Sequence, residues 1–343
     1  MASKASILII YTGGTIGMIK SEETGSLVPF NFENLLKYIP LLKNYDAEIS
    51  SLSFEPPVDS SNINPEAWIQ LTAIIEENYD KYDGFVILHG SDTMAYTASA
   101  LSFMLENLSK PVILTGSQLP IGLLRTDGRE NLIVALEIAC AKKDGKRIVP
   151  EVCIYFENML FRGNRTHKFN AENFKAFISS NYPPLAEVGV HIKYNHQLIR
   201  QPQINFLIPH TKLNNNIALL KLYPGMNKKV VDAILNTEGL KAIVLETFGS
   251  GNAPTDKWFI DCLKNAIQND IVILNVTQCK GGSVELGKYE TSELLKEIGV
   301  LGGGDITTEA AITKLMYLLG HELKKKEIEK LLPISLRGEL SEE

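Results

Sequence analysis

The 343-residue sequence is short of the features that mark several large functional classes. It has no stretch approaching the ~20 apolar residues of a membrane-spanning helix. The apolar run in its opening MASKASILIIYTGGTIG is too short for a signal-peptide core and is expected to be a first strand that begins almost at once. A basic excess is missing as well. There are 34 Lys and Arg against 40 Asp and Glu, a formal net charge of −6, which is the wrong sign for a nucleic-acid or anionic-membrane partner. Cysteine is scarce: Cys140, Cys153, Cys262 and Cys279 form no C-x-x-C pair and sit in mostly apolar settings, so reduced, packed thiols are expected. The six histidines give no H-E-x-x-H, and HIKYNH has the wrong spacing for one helical face, so no metal site is expected. These absences point to a cytoplasmic protein without membrane or nucleic-acid partners.

What is present is an alternation of short apolar runs and helix-length amphipathic segments. Strands are expected at Ile7–Ile10, Phe85–Leu88, Val112–Leu114, Val152–Tyr155, Ile217–Leu222, Ala242–Leu245 and Ile271–Val276, continuous and rich in Val, Ile and Leu as in strands covered on both faces. Helical spacing runs through Pro65–Asn78, Thr93–Glu106, Arg129–Lys142, Thr255–Ile267 and Thr307–Leu319. Such alternation implies an α/β fold with parallel sheets. Residues 194–216 lose the rhythm and are polar, with two prolines and an Asn run. They read as a linker between a larger N-terminal α/β domain, residues 1–193, with a mainly parallel sheet, and a smaller C-terminal one, residues 217–343, with a flavodoxin-like or Rossmann-like parallel sheet. The charged HELKKKEIEK reads as a solvated helix face.

Three expected strands end in hydroxyl- and glycine-rich turns: ILIIYTGGTIG, FVILHGSDTM and PVILTGSQLP. Ligands of open parallel sheets bind beyond the C-terminal strand ends, so hydroxyls gathered there suggest a site. Gly13, Gly14 and Gly17 fail the G-x-G-x-x-G spacing, and no Gly-Lys-Ser/Thr ending makes a phosphate loop. Taken singly, each turn also has a purely structural use. Thr15 can be a turn hydroxyl. Ser91 and Asp92 can start the helix whose apolar face is Met94, Ala98, Leu101 and Leu105. Asp59 to Asn62, DSSN before PEAW, can cap another with Pro in its first turn.

Together, TGGTIG and HGSDTM resemble the two signature segments of the L-asparaginases, the second of which usually reads H-G-T-D-T-M. The resemblance extends over the whole chain through PVDSSNINPEAW, PVILTGSQ, FRGNRTHK, FGSGNAP, TQC and LRGEL, and is to the cytosolic, type I branch. It implies hydrolysis of the side-chain amide of L-asparagine to aspartate and ammonia, with no metal or organic cofactor. It implies Thr15 as the nucleophile that forms an acyl-enzyme, and Ser91, Asp92 and Lys168 as the second catalytic cluster. An unactivated threonine is a poor nucleophile and needs a proton acceptor; a shielded lysine can relay protons. Asp92 is expected to take the α-ammonium, Asp59, Ser60 and Ser61 the α-carboxylate and α-amino end, and backbone N–H groups after Gly14 and Gly90 the oxyanion. Asn252 matches a position that reaches a neighbouring subunit's site, which implies a homodimer or homotetramer.

The sequence departs from the family at three places. Ser91 stands where Thr is usual, and lacks the methyl that stiffens χ1. The loop KSEETGSLVPF carries no tyrosine to assist the nucleophile; Ser26 and Leu27 are nearest its place. Glu246 stands where some bacterial relatives use an Arg to hold regulatory asparagine. Two other readings fit the signatures: the asparaginase-like subunit of a transfer-RNA-dependent amidotransferase, which usually carries an extra N-terminal domain, and a non-catalytic asparagine-binding regulator.

Overall fold

Runs of Val, Ile and Leu pair side by side and hide both of their faces, and this sets the architecture. The structure, a computed structural model, describes residues 4–20, 27–29, 39, 42, 46–204, 206–288 and 290–342. It divides into two compact units, Met1–Thr211 and Lys212–Glu343. The first unit begins β1 (Ala5–Tyr11), β2 (Ala47–Ser53), α1 (Pro65–Asn78), β3 (Gly84–Leu88) and α2 (Met94–Met104). It goes on through β4 (Val112–Thr115), α3 (Gly128–Cys140), β5 (Val152–Phe156) and β6 (Met159–Arg162). A small pair, β7 (His167–Lys168) and β8 (Phe177–Ile178), precedes β9 (Ala186–Val188) and β10 (Ile192–Tyr194).

Eight of these strands form one sheet in the order β10-β9-β6-β5-β4-β3-β1-β2. From β2 to β5 every pairing is parallel. Successive residues of β1 face opposite sides. Ile7, Ile9 and Tyr11 pack with Leu132, Ala135 and Ile138 of α3. Leu8 and Ile10 pack with Leu71 and Ile75 of α1 and Ala98 and Leu101 of α2. Helices on both faces explain why the strands read as continuous apolar runs.

The flank from β5 to β10 is antiparallel, a part of the sheet that strand-helix alternation does not announce. No helix separates β5 from β6. They join through Glu157 and Asn158, at φ 42° and 66°, the left-handed pair of a tight hairpin. The cap of α1 also differs from expectation. Asn64 caps it, accepting from the Ala67 N–H at 3.1 Å with Pro65 in the first turn, whereas Asp59 caps only the short 3-10 turn Ser60–Asn62.

The second unit carries β11 (Ile217–Lys221), α4 (Lys228–Leu235), β12 (Ala242–Thr247), α5 (Lys257–Gln268) and β13 (Val272–Thr277). It ends with β14 (Leu301–Gly302), α6 (Thr308–Gly320) and α7 (Lys325–Leu331). Its four-stranded sheet, β11-β12-β13-β14, is parallel throughout. Val231 and Leu235 of α4 and Phe259 and Leu263 of α5 pack on Ile243, Leu245 and Ile273. The HELKKKEIEK segment contributes α7, of which only Ile328 is buried. No helix among the described residues is long and apolar enough to cross a membrane.

One ion pair in this unit is wholly buried. Lys314 Nζ lies 2.6 Å from Glu339 Oε1, with both side chains at 0% exposure. The ammonium also donates to the Leu332 and Ile334 carbonyls, and the carboxylate accepts the Leu336 and Arg337 N–H groups. Burial alone would raise the Glu339 pKa. The Lys314 charge and the two backbone donors outweigh it and hold the carboxyl below its usual range. Because the folded-state value is depressed, the stabilisation is present above the unfolded carboxylate pKa and lost as pH falls through the folded one. Lys314→Met should therefore cost about 3–5 kcal/mol of unfolding free energy, because it strands a buried charge. Denaturant unfolding checks this, and an unchanged midpoint would contradict it.

Candidate functional site: three turns and a lysine

Two of the strand-end turns, those of Gly14 and Gly90, converge with the Asp59–Ser61 turn. Gly14, at φ 90°, ends the approach from β1, and Thr15 opens a short 3-10 turn, Thr15–Gly17. A Cβ on Gly14 would lie 2.5 Å from both the Cα and N of Gly90. A Cβ on Gly90 would lie 2.5 Å from Ser60 Oγ. No real Cβ tolerates such distances, so glycine at these two positions lets the Thr15, Ser60 and Ser91 segments touch. Further bonds tie the loops together. The Val58 N–H donates to the Thr12 carbonyl at 2.7 Å, and Thr93 Oγ1 donates to the Ser60 carbonyl at 2.6 Å.

Ser91 and Asp92 do not cap α2. Its N-cap is Thr93, which makes no side-chain capping bond. Instead both face a side chain from a distant part of the unit. Lys168, at the end of β7, donates to Ser91 Oγ at 3.0 Å and pairs with Asp92 Oδ1. The lysine side chain is 18% exposed and the aspartate 64%, so the cation is shielded while the carboxylate stays open to a solute. A carboxylate has lone pairs to spare beyond one ammonium, so Asp92 can engage a second. Asp59 holds Ser61 through both its N–H and its hydroxyl, and these bonds keep the Asp59 carboxyl below its usual range. Ser60 is buried at 4% exposure, Ser61 is exposed, and Thr15 is half-buried.

Two supporting residues carry no strong signal in the sequence. Tyr11 ends β1 with its ring under Gly17 and its hydroxyl donating to the Gly14 carbonyl at 3.3 Å. Burial pushes that phenol up to about 12, so it remains a donor. His89 is 1% exposed, with Nδ1 at 2.7 Å from the Gly90 carbonyl and Nε2 at 2.9 Å from Thr97 Oγ1. Thr97 Oγ1 in turn receives the Trp68 indole N–H at 3.0 Å. The spacing of Trp68 and Thr97 on two helices gives no hint that both reach the strand end. The position of His89 at the end of an apolar run is the one available clue.

Ser26 and the side chain of Leu27, nearest the place of the missing loop tyrosine, lie outside the described residues. Asn252 belongs to the second unit. It closes the FGSGN turn, pairing with Phe248, and its Oδ1 accepts from Thr291 Oγ1 at 2.7 Å. Glu246, on β12, is 6% exposed and spends its carboxylate on Lys221 Nζ at 2.8 Å and Thr308 Oγ1 at 2.6 Å.

Both units match family models. Residues 6–200 match the asparaginase N-terminal domain and residues 216–332 the glutaminase/asparaginase C-terminal domain. L-asparaginase 1 of Escherichia coli (strain K12) is 44% identical over 339 residues, 98% of each chain. The 60 kDa lysophospholipase of Mus musculus is 41% identical across 99% of this chain and 63% of its own. The crystal structure of L-asparaginase I from Vibrio cholerae superposes with a TM-score of 0.89 at 40% identity, covering 98% of this chain and 99% of that one. With its signature turns in contact and each unit matched to the corresponding domain, the chain belongs to the asparaginase family.

Proposed function

We propose that this protein hydrolyses the side-chain amide of L-asparagine to L-aspartate and ammonia. The observation that carries the reading is the meeting of Lys168 with Ser91 and Asp92, at strand ends where Gly14 also brings Thr15. Thr15 Oγ attacks the amide carbon and passes its proton on, so that the amide nitrogen leaves as ammonia and an acyl-enzyme remains. Lys168 and Ser91 then steer the proton of the water that attacks this ester, releasing aspartate and freeing Thr15. Asp92 takes the substrate's α-ammonium beside Lys168, and the Ser60–Ser61 turn receives the α-carboxylate end. Backbone N–H groups following Gly14 and Gly90 supply the oxyanion contact. Asn252 reaches the site of a neighbouring copy, so the working form is a homodimer or homotetramer. The setting is the cytoplasm, where cysteines outside any disulfide persist.

Ammonia release from L-asparagine tests the reading, with D-asparagine and L-glutamine as comparison substrates. Thr15→Ala should lower kcat on the order of 10⁴-fold or more, and Lys168→Met by about 10²–10⁴-fold. If wild type and both variants behaved alike, the assignment would fail; binding of asparagine without ammonia release would favour a regulator instead. Ser91→Ala should lose about 10²-fold or more in steady-state turnover, as expected of a proton-transfer group, whereas Ser91→Thr should keep it. Equal turnover in Ser91→Ala and wild type would remove Ser91 from the mechanism. Glu246 is neutralised by Lys221 and occupied by Thr308, so it presents neither a free cation nor a free donor to a second asparagine carboxylate. Initial rates should therefore follow a hyperbolic asparagine curve, and a sigmoidal curve would show the argument wrong.

A further inference from the structure

The chain of buried groups behind the second turn has one possible direction. An indole N–H only donates, so Trp68 gives its proton to Thr97 Oγ1 at 3.0 Å. A backbone carbonyl only accepts, so His89 Nδ1, 2.7 Å from the Gly90 carbonyl, must carry a proton. Burial pushes the His89 pKa down to about 4, against a smaller upward pull from the Gly90 bond, so near neutral pH the ring holds that one proton. Nε2 is then an acceptor, and the hydroxyl proton of Thr97, 2.9 Å away, points at it. The donors run in series from Trp68 to Thr97 to His89 to the Gly90 carbonyl. Trp68, Thr97 and His89 are 5%, 0% and 1% exposed, so water does not compete for any of them.

The peptide at the end of this series is the one the site leans on. Gly90 abuts Gly14 on one side and Ser60 on the other, and a Cβ on Gly116 would lie 2.4 Å from the His89 carbonyl. Ser91 follows directly and meets Lys168. Rotation of the Gly90 peptide would swing Ser91 off the lysine and press on the Thr15 turn. We infer that His89 is a positioning residue, whose Nδ1–H, fixed by Thr97 and Trp68, sets the orientation of the Gly90 peptide and so the spacing of Ser91 and Thr15. The inference rests on the hydrolytic reading above. It adds a buried histidine that touches neither substrate nor reacting atoms and acts through one carbonyl.

Two substitutions separate the two ends of the ring. The amide nitrogen of His89→Asn falls close to the place of Nδ1 and keeps a donor for Gly90. His89→Gln reaches the place of Nε2, keeps a partner for Thr97 and loses the Gly90 bond. With L-asparagine, His89→Gln should lose about 10–10²-fold in kcat, the scale of a small misplacement of reacting groups, with KM changed much less. His89→Asn should retain kcat within a few-fold, even though both variants lose thermal stability. Nitrogen-15 spectra of histidine-labelled wild type should show a ring protonated at Nδ1 and bare at Nε2, with Thr97→Val shifting the Nε2 signal. Equal kcat in the two His89 variants, whether both low or both high, would overturn the inference, as would an Nε2–H ring. If wild-type protein released no ammonia, the hydrolytic reading would fail, while the ring spectra would still decide the direction of the donor series.

Discussion

The first unit is organised around a contact with no side chains in it. Gly14 and Gly90 meet backbone to backbone, and on its other side Gly90 packs against the Ser60 side chain. Each glycine ends a turn that leaves a buried parallel strand, so the sheet brings the turns into register and the missing Cβ atoms let them close. Most residues of the candidate site are hung on that contact: Thr15 one residue past Gly14, Ser91 one residue past Gly90, and the Asp59–Ser61 turn pressed against it. The price is intolerance, because a Cβ at Gly14 would have to displace the Gly90 backbone and one at Gly90 the buried Ser60 side chain.

The strands were readable because burial on both faces writes itself as unbroken apolar runs. Ile7–Ile10 and Phe85–Leu88 fall inside β1 and β3, and Pro65–Asn78 is α1 residue for residue. β2 was not readable. Its AEISSLS sequence lies at the sheet edge and is only half-buried, so no apolar pattern is imposed on it. The β6, β9 and β10 flank escaped for another reason: it is built from short antiparallel strands, whose pairing depends on turns such as Glu157–Asn158 more than on composition.

The site was legible in parts. Thr15, Ser91 and Asp92 stand out as polar residues at the ends of apolar runs, and the structure adds that the latter two do not cap their helix. Lys168 carries no such mark. It sits in a basic stretch with Arg162 and Arg165, and spacing alone could not relate it to a serine 77 residues earlier. His89, Thr97 and Trp68 were invisible as a group, because a hydrogen-bond series across two helices and a strand end leaves no periodicity behind.

The division of the large sheet has a consequence for how the unit comes together. The flank from β5 to β10 is contiguous in sequence, residues 152–194, and part of it closes through a tight hairpin, so its contacts are inexpensive in loop entropy. The parallel half must first complete long crossovers before β1, β3 and β4 align. Lys168 comes from the first kind of structure, and Ser91 and Asp92 from the second. Their pairing therefore exists only in a chain where both halves have formed and joined. On the proposed reading this cluster serves as an internal checksum of the finished fold, and partly assembled forms of this unit lack it.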